Sequence, residues 1–312
     1  CKTMGDLWSL RGLSCWELAK RTCYRIWEDE VFGQAARLAF YYFLGIFPAL
    51  LLLLIVLHPI TRAGPGLRNT LVDSFQQIVP REASVLIAKT IAELNARAAV
   101  GVGAFWAVLA AVWAVLSGTW GMMVGLNKAY GVKEERDWWR ILITASGLTI
   151  LLAVIGLVAL AAMLGGSRAE AIIGQHLGLH APPVSWRIIQ WLVIVVLLLL
   201  SFASIYRFGP NLKDRRWQWS NPGAVVAIAL WASSTLLLRM SQEHFSSSQR
   251  IYAGLKPVVT ILLWLYFTGA AILIGGEINS EIEKAASEAG DSDVRKPGER
   301  RSGGSDSDTR AP

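Results

Sequence analysis

Long runs without a charged side chain alternate along the chain with short, strongly polar segments. Six such runs stand out, at 38–61, 98–126, 141–167, 188–206, 217–238 and 257–276. Each approaches or exceeds the roughly 20 residues that a helix needs to cross about 30 Å of hydrocarbon. They are too long, and too free of turn residues, for the core strands of a soluble sheet. A membrane-spanning barrel would instead show alternating segments of about ten residues. Within lipid the backbone must satisfy its own hydrogen bonds, so these runs are expected to be helices. The expectation is an all-α polytopic membrane bundle of six transmembrane helices occupying 38–284.

The segments between the runs have patterns of their own. In 1–37, Leu18, Thr22 and Ile26 share a helical face beside Trp16, Trp27 and Phe32, which suggests an interfacial helix leading into the first span. In 62–97, Leu71, Phe75, Ile78 and Val79 recur at helical spacing, Pro80 interrupts, and Ala83, Ile87, Ile91 and Leu94 resume. This predicts two amphipathic pieces too charged to be a further span. Beyond Lys284 the composition turns to Asp, Ser, Gly, Arg, Lys and Pro, and 285–312 is expected to be a disordered cytoplasmic tail.

Composition agrees with this layout. Of 312 residues, 54% are hydrophobic and 17% charged, against about 25% charged in an ordinary soluble domain. The net charge of +7 does not call for nucleic acid, because cytoplasmic loops of membrane proteins collect Lys and Arg and no basic run here is dense. With six spans, 1–37, 127–140, 207–216 and 277–312 hold 20 Lys and Arg, and the opposite side holds 10. The asymmetry places both termini in the cytoplasm and 62–97 outside. Membrane lipids are the expected partners. Cys1, Cys15 and Cys23 match no zinc spacing and complete no disulfide framework. A lipid on Cys1 would put the N-terminus outside, against the charge count, and is not expected.

The chain carries no nucleotide-binding loop, no GxSxG and no HExxH. The acids Glu134, Glu135 and Asp137 lie beside Lys133 and Arg136 and read as a solvated loop. No enzymatic activity and no cofactor are expected. The candidate polar groups in or beside the runs are Tyr41, Tyr42, Ser117, Thr119, Asn127, Thr144, Ser146, Ser201, Ser204, Ser233, Ser234, Thr235, Tyr266 and Thr268. They either bond between helices or line a path. No carboxylate sits at mid-membrane, which argues against a carrier built on a central acid. An apolar passage with scattered hydroxyls suits an amphipathic, lipid-like solute. The alternative is a structural or envelope-maintenance role. His176 and His180, spaced i,i+4, would face one way on a helix, but ordinary loop histidines are the favoured reading. Trp106, Trp113 and Trp120 recur every seven residues and read as a lipid-facing or interhelical stripe. Gly118, Gly121 and Gly125 form a small face suited to close helix approach, and Pro48 should kink the first span.

Four segments carry a resemblance: AARLAFYYFLGIFPALLLLL from Ala35, TWGMMVGLNKAYG from Thr119, YRFGPN from Tyr206 with NPGAVVAIALW from Asn221, and RIYAGLKPVVTILLWLYFTGAAILIGGEINSEIEK from Arg250. Their order and spacing resemble the YihY/BrkB family of bacterial inner-membrane proteins over roughly 30–284. Departures include Tyr252-Ala253-Gly254 where the family commonly has Tyr-Gly, and Gly275-Gly276-Glu277 where it commonly has Gly-Ala-Glu. The resemblance implies an integral plasma-membrane protein without a defined reaction; a ribonuclease label carried by some relatives supplies no mechanism. It singles out Tyr41, Pro48, Asn127, Pro210, Asn211, Tyr252, Tyr266, Glu277 and Asn279 as functional or gating candidates. Arg37 joins them, because it enters the first helix at the depth where Glu277 leaves the last and could neutralise it.

Overall fold

The computed structural model describes residues 14–61, 102–177, 183–212, 222–244 and 255–288, all of them helical apart from short turns. The elements are α1 (Cys15–Glu28), α2 (Val31–Thr61), α3 (Val102–Ala129), α4 (Trp138–Leu177), α5 (Pro183–Phe208), α6 (Pro222–His244) and α7 (Lys256–Glu288). Four helices are long and apolar enough to cross a membrane: Trp138–Ala162, Ile188–Phe208, Pro222–Ser241 and Pro257–Ala285. The runs at 38–61 and 98–126 also become helices, α2 of 31 residues and α3 of 28. The bundle is therefore all-α and polytopic, and among the described residues four of the six expected spans have the length and composition to cross a membrane. The amphipathic pieces expected in 62–97, and the tail from 289 on, lie outside those residues. So does Tyr252. The last helix runs past the expected end of the membrane domain to Glu288.

Local chemistry sets the helix ends. Ser14 caps α1, its hydroxyl accepting from the Trp16 N–H at 3.4 Å, and Glu17 lies in the first turn where the helix dipole favours an acid. At the other end, Asp29 donates its N–H to the Arg25 carbonyl, and Glu30 takes a left-handed φ of 50° to turn the chain into α2. Helix α3 ends on Gly131, at φ 62°, with the Val132 N–H bonded to the Asn127 carbonyl at 2.8 Å. That bond is the 6→1 closure of a Schellman motif, which needs a residue free to adopt positive φ. Prolines open α5 and α6 and sit second in α7, where a missing N–H costs nothing.

Helix α7 is the hub: it packs on α6, α2, α3 and α1, while α4 and α5 pair with each other and join through α3 and α6. Half of the α7 span is buried, against 17% of α4 and of α5. The latter two expose Ile150, Val154, Val158, Ile189, Leu192 and Val196, an apolar exterior that lipid tails would cover. Trp106, Trp113 and Trp120 are 60%, 63% and 50% exposed, so the stripe faces outward rather than into the bundle.

The small face of α3 does what its spacing suggests. A Cβ on Gly118 would lie 2.7 Å from the Tyr42 ring, one on Gly121 3.2 Å from Leu38, and one on Gly125 2.7 Å from Leu273. Three glycines thus let α2 and α7 press against α3, and Leu38, Met122, Leu126 and Leu273 are fully buried at the contact. Gly147 and Gly156 meet nothing and do not serve packing. Most hydroxyls turn back on their own helices: Ser117, Thr119, Thr144, Ser201, Ser204, Ser234, Thr235 and Thr268 donate to carbonyls one turn earlier. Two also bridge helices, Thr119 to Thr149 at 2.8 Å and Thr235, which accepts from the Trp264 indole at 3.1 Å.

A buried polar cluster at one end of the bundle

The polar side chains gather at the end where α1, the C-terminal ends of α3 and α5, the start of α6 and the last turns of α7 meet. Asn127, only 4% exposed, is one centre. Its side-chain oxygen accepts the Asn211 N–H at 2.7 Å, and its amide donates to Glu134 at 2.7 Å. Arg136 holds Glu134 in two bonds of 2.7 Å and reaches the Gly209 carbonyl at 3.2 Å. The Asn211 amide donates to the Lys133 carbonyl at 3.2 Å, beside fully buried Pro210. This clasp joins α3, the loop after it and the end of α5. Burial pushes the Glu134 carboxyl up, but the bonds from Arg136 and Asn127 outweigh it and hold the group below its ordinary value. The acids of this loop are therefore not all solvated, because Glu134 is spent inside the clasp.

The second centre lies on α7. Gly223 and Gly275 cross backbone to backbone, and the Asn279 side-chain oxygen accepts the Gly223 N–H at 2.9 Å. That N–H belongs to the first turn of α6, which has no intrahelical partner for it. Asn279 therefore caps a neighbouring helix. Tyr206 on α5 donates to the Ile272 carbonyl at 2.9 Å and fills the space beside Gly275. Two successive segments, the one ending α5 and the one opening α6, thus converge on the GGEIN stretch of α7, which lies 56 and more residues further along the chain.

Glu277 is fully buried, and neither of its carboxylate oxygens accepts a hydrogen bond; the Asn279 amide nitrogen is also unpartnered. Arg37 does not neutralise Glu277. It donates to Gln34 one turn earlier on its own helix, because its long side chain finds a local acceptor first. The charged groups around Glu277 are Asp29, Lys284 and Arg25, and the two cations are already committed. Lys284 pairs with Glu281 at 2.8 Å, and Arg25 pairs with Glu28 at 2.9 Å and Glu281 at 3.4 Å. The sequence-based choice of Glu277 and Asn279 as one pair joins two neighbours with different work: one caps α6, the other faces the turn after α1.

The remaining candidates are dispersed. Tyr41 packs along Gly118 and Gly121 of α3, and Tyr266 lies by the Ala39, Ile261 and Leu265 cluster with its ring 5.6 Å from Phe267. Pro48 lies inside α2. The histidine side chains, at His58, His176, His180 and His244, lie outside the described residues. Among the described residues no three His, Cys, Asp or Glu side chains gather as a metal site would require. Sequence reasoning missed Asp29, Glu134, Arg136, Tyr206 and Gly223. Of these, Tyr206 and Gly223 lay inside the segments that carried the resemblance.

An apolar exterior, a central helix and one buried polar end define a multi-pass α-helical membrane protein. The chain belongs to the family described as Virulence factor BrkB, whose model matches residues 22–299. It is similar to a "Putative ribonuclease-like protein YfkH" of Bacillus subtilis, 28% identical over 263 residues, 84% of this chain and 92% of the relative. It is also similar to a "UPF0761 membrane protein" of Tolumonas auensis, 23% identical over 259 residues covering 83% of this chain and 82% of that one. A shorter match, 28% over 101 residues, links 32% of the chain to a "UPF0761 membrane protein" of Psychromonas ingrahamii. No solved structure matches the chain.

Proposed function

We propose that the protein is a six-span permease-like protein, both termini cytoplasmic, that accepts an amphipathic, lipid-like solute with its polar end at the α7 cluster. The observation that carries this reading is the pairing of orphaned buried polar atoms on α7, both oxygens of Glu277 and the amide nitrogen of Asn279, with the apolar exterior of the bundle. Ionisable groups left inside a membrane domain mark functional sites, since they cost several kcal/mol unless something answers them. An amphiphile has the matching division into a polar head and an apolar body. The hydroxyls on the spans lend no support, because most bond to their own helices. An inert, envelope-maintaining bundle is the competing reading, favoured by the bonds that tie Asn127, Glu134 and Arg136 together. Ribonuclease activity ranks below both.

Mass spectrometry of the purified protein against its surrounding lipid separates the two main readings. Selective enrichment of one amphiphile, with saturable binding weakened about tenfold or more by Asn279→Ala, is expected for the permease. No enrichment of any molecule favours the structural role.

A further inference from the structure

Helix α1 lies against α7 with a divided surface. Its outward face carries Trp16, Tyr24 and Trp27, which are 78%, 70% and 78% exposed. They fall at i, i+8 and i+11, one stripe along the helix. Its inward face is tied to α7 by Arg21 to Glu288 at 3.0 Å and by Arg25 to Glu281 at 3.4 Å. These two ion pairs step in opposite directions along the two helices, so the next turn of each, at the end of α1 where Glu30 turns left-handed, sets Asp29 beside Glu277.

Two carboxylates have no donor between them. A carboxyl–carboxyl hydrogen bond exists only when one group carries a proton, and two such charges side by side cannot both ionise cheaply. Glu277 has no other donor available, since both of its oxygens are unpartnered apart from this contact. The surrounding charges do not replace the proton. From α1, Arg25 is shared between Glu28 and Glu281; on α7, Lys284 is bonded to Glu281; from α3, Lys128 lies near Asp29 but pairs with Glu30 at 3.5 Å. Helices α5 and α6 bring Tyr206, with Tyr130 near it, and the Gly223 backbone to the adjacent turn of α7. A metal cation fits poorly, because it would want about six oxygens and no third His, Cys, Asp or Glu joins the pair among the described residues.

We propose that Asp29 and Glu277 form a site for a single proton, and that the proton latches the α1–α2 turn onto α7. With it, the two carboxyls bond and Glu277 is neutral in its apolar surroundings. Its loss leaves adjacent charges that repel across the α1–α7 contact, and the turn lifts. Burial raises the Asp29 carboxyl above its ordinary value, against the pull of Arg25, Lys128 and the contact with Glu277. The sign is that of an acid favoured neutral in the docked state. Docking is strongest at low pH and weakens as pH rises through the shared titration, by up to about tenfold per pH unit for one proton. This inference does not depend on solute transport.

The test uses the full chain in lipid nanodiscs, with Cys1→Ser and Cys15→Ser, leaving Cys23, exposed on α1, to carry a spin label. In the parent protein, label mobility should rise with pH along a one-proton curve, and infrared spectra on the acid side of that curve should contain a protonated-carboxyl band. Asp29→Asn and Glu277→Gln should each remove both signals and keep α1 docked throughout. Asp29 lies on a half-buried turn, so its variant serves if Glu277→Gln fails to fold. The proposal is overturned if Asp29→Asn leaves the band and the mobility curve unchanged. It is equally overturned if docking follows Na⁺, K⁺ or Mg²⁺ concentration at fixed pH, which would assign the site to a cation.

Discussion

Gly223 of α6 and Gly275 of α7 meet so closely that a Cβ on Gly275 would fall 2.6 Å from the Gly223 carbonyl oxygen and collide with the Tyr206 hydroxyl. A backbone atom cannot move aside as a side-chain end can. Gly275→Ala should therefore separate the helices, break the Asn279 cap and cost about 1–3 kcal/mol or more. One residue on, a Cβ at Gly276 would meet the tip of Leu126, a flexible Cδ2, at 2.8 Å. Gly276→Ala should be close to neutral, helped by the better helix propensity of alanine. Thermal unfolding of the two variants in detergent checks this contrast, and equal losses would contradict it.

Asn127 serves three segments at once, through Asn211, Glu134 and the helix end at Val132. Asn127→Ala removes the partner of a buried N–H and one ligand of Glu134, so a loss of about 1–3 kcal/mol is expected. Asn127→Asp should be worse than its isosteric shape suggests. It keeps the acceptor for Asn211 but sets a second carboxylate 2.7 Å from Glu134, where the amide donor stood. Comparing the two variants by denaturation at neutral and mildly acidic pH tests this, since acid should rescue only the aspartate.

Glu134 gives a pH dependence of the opposite sign to that of the Asp29–Glu277 pair. Its folded-state value is depressed by Arg136 and Asn127. The stability it contributes is therefore complete above the unfolded glutamate value of about 4.3 and is lost as pH falls through the folded one. The gap in unfolding temperature between wild type and Glu134→Gln should be wide at neutral pH and close at the acid end. A gap that stays constant with pH would mean that Glu134 works by shape rather than charge.

The bundle was readable because a membrane imposes a simple rule on sequence: uncharged runs of sufficient length become helices. The glycine face of α3 was readable too, since Gly118, Gly121 and Gly125 keep helical spacing. Asn127 and Asn211 were singled out separately, and the structure puts them 2.7 Å apart. The partners were not readable. Asp29 ends a polar helix in a segment where acids are unremarkable, and only the turn at Glu30 aims it at Glu277. Arg37 looked like the partner because it matched in depth, but depth along a helix does not fix direction around it. Glu134 looked solvated because its neighbours Lys133, Glu135, Arg136 and Asp137 are all charged, while its acceptors are met by residues 7 apart on α3 and 2 apart in the loop. Pattern reports which face is apolar; it does not report which polar groups meet across elements.

Topology is open to direct measurement. The end of the bundle holding Glu277 also gathers Lys128, Arg136 and Arg140, the last 5.0 Å over the Trp139 ring, as well as the cations of α1. Trp138 and Trp139 are 77% and 45% exposed there, as suits indole rings at a headgroup layer. In the orientation we propose, positive charge retained on one side makes this end cytoplasmic, and α7 delivers Glu288 to the same side as α1, as their ion pair requires. In a background lacking the native cysteines, Ser74→Cys and Ser84→Cys should then react with a membrane-impermeant maleimide in intact cells, and Ser292→Cys only after the membrane is opened. The reverse pattern would invert the protein and move the Asp29–Glu277 pair to the outer face. Labelling of all three in intact cells would mean an even number of spans between residues 84 and 292, and one of the six runs would then not cross.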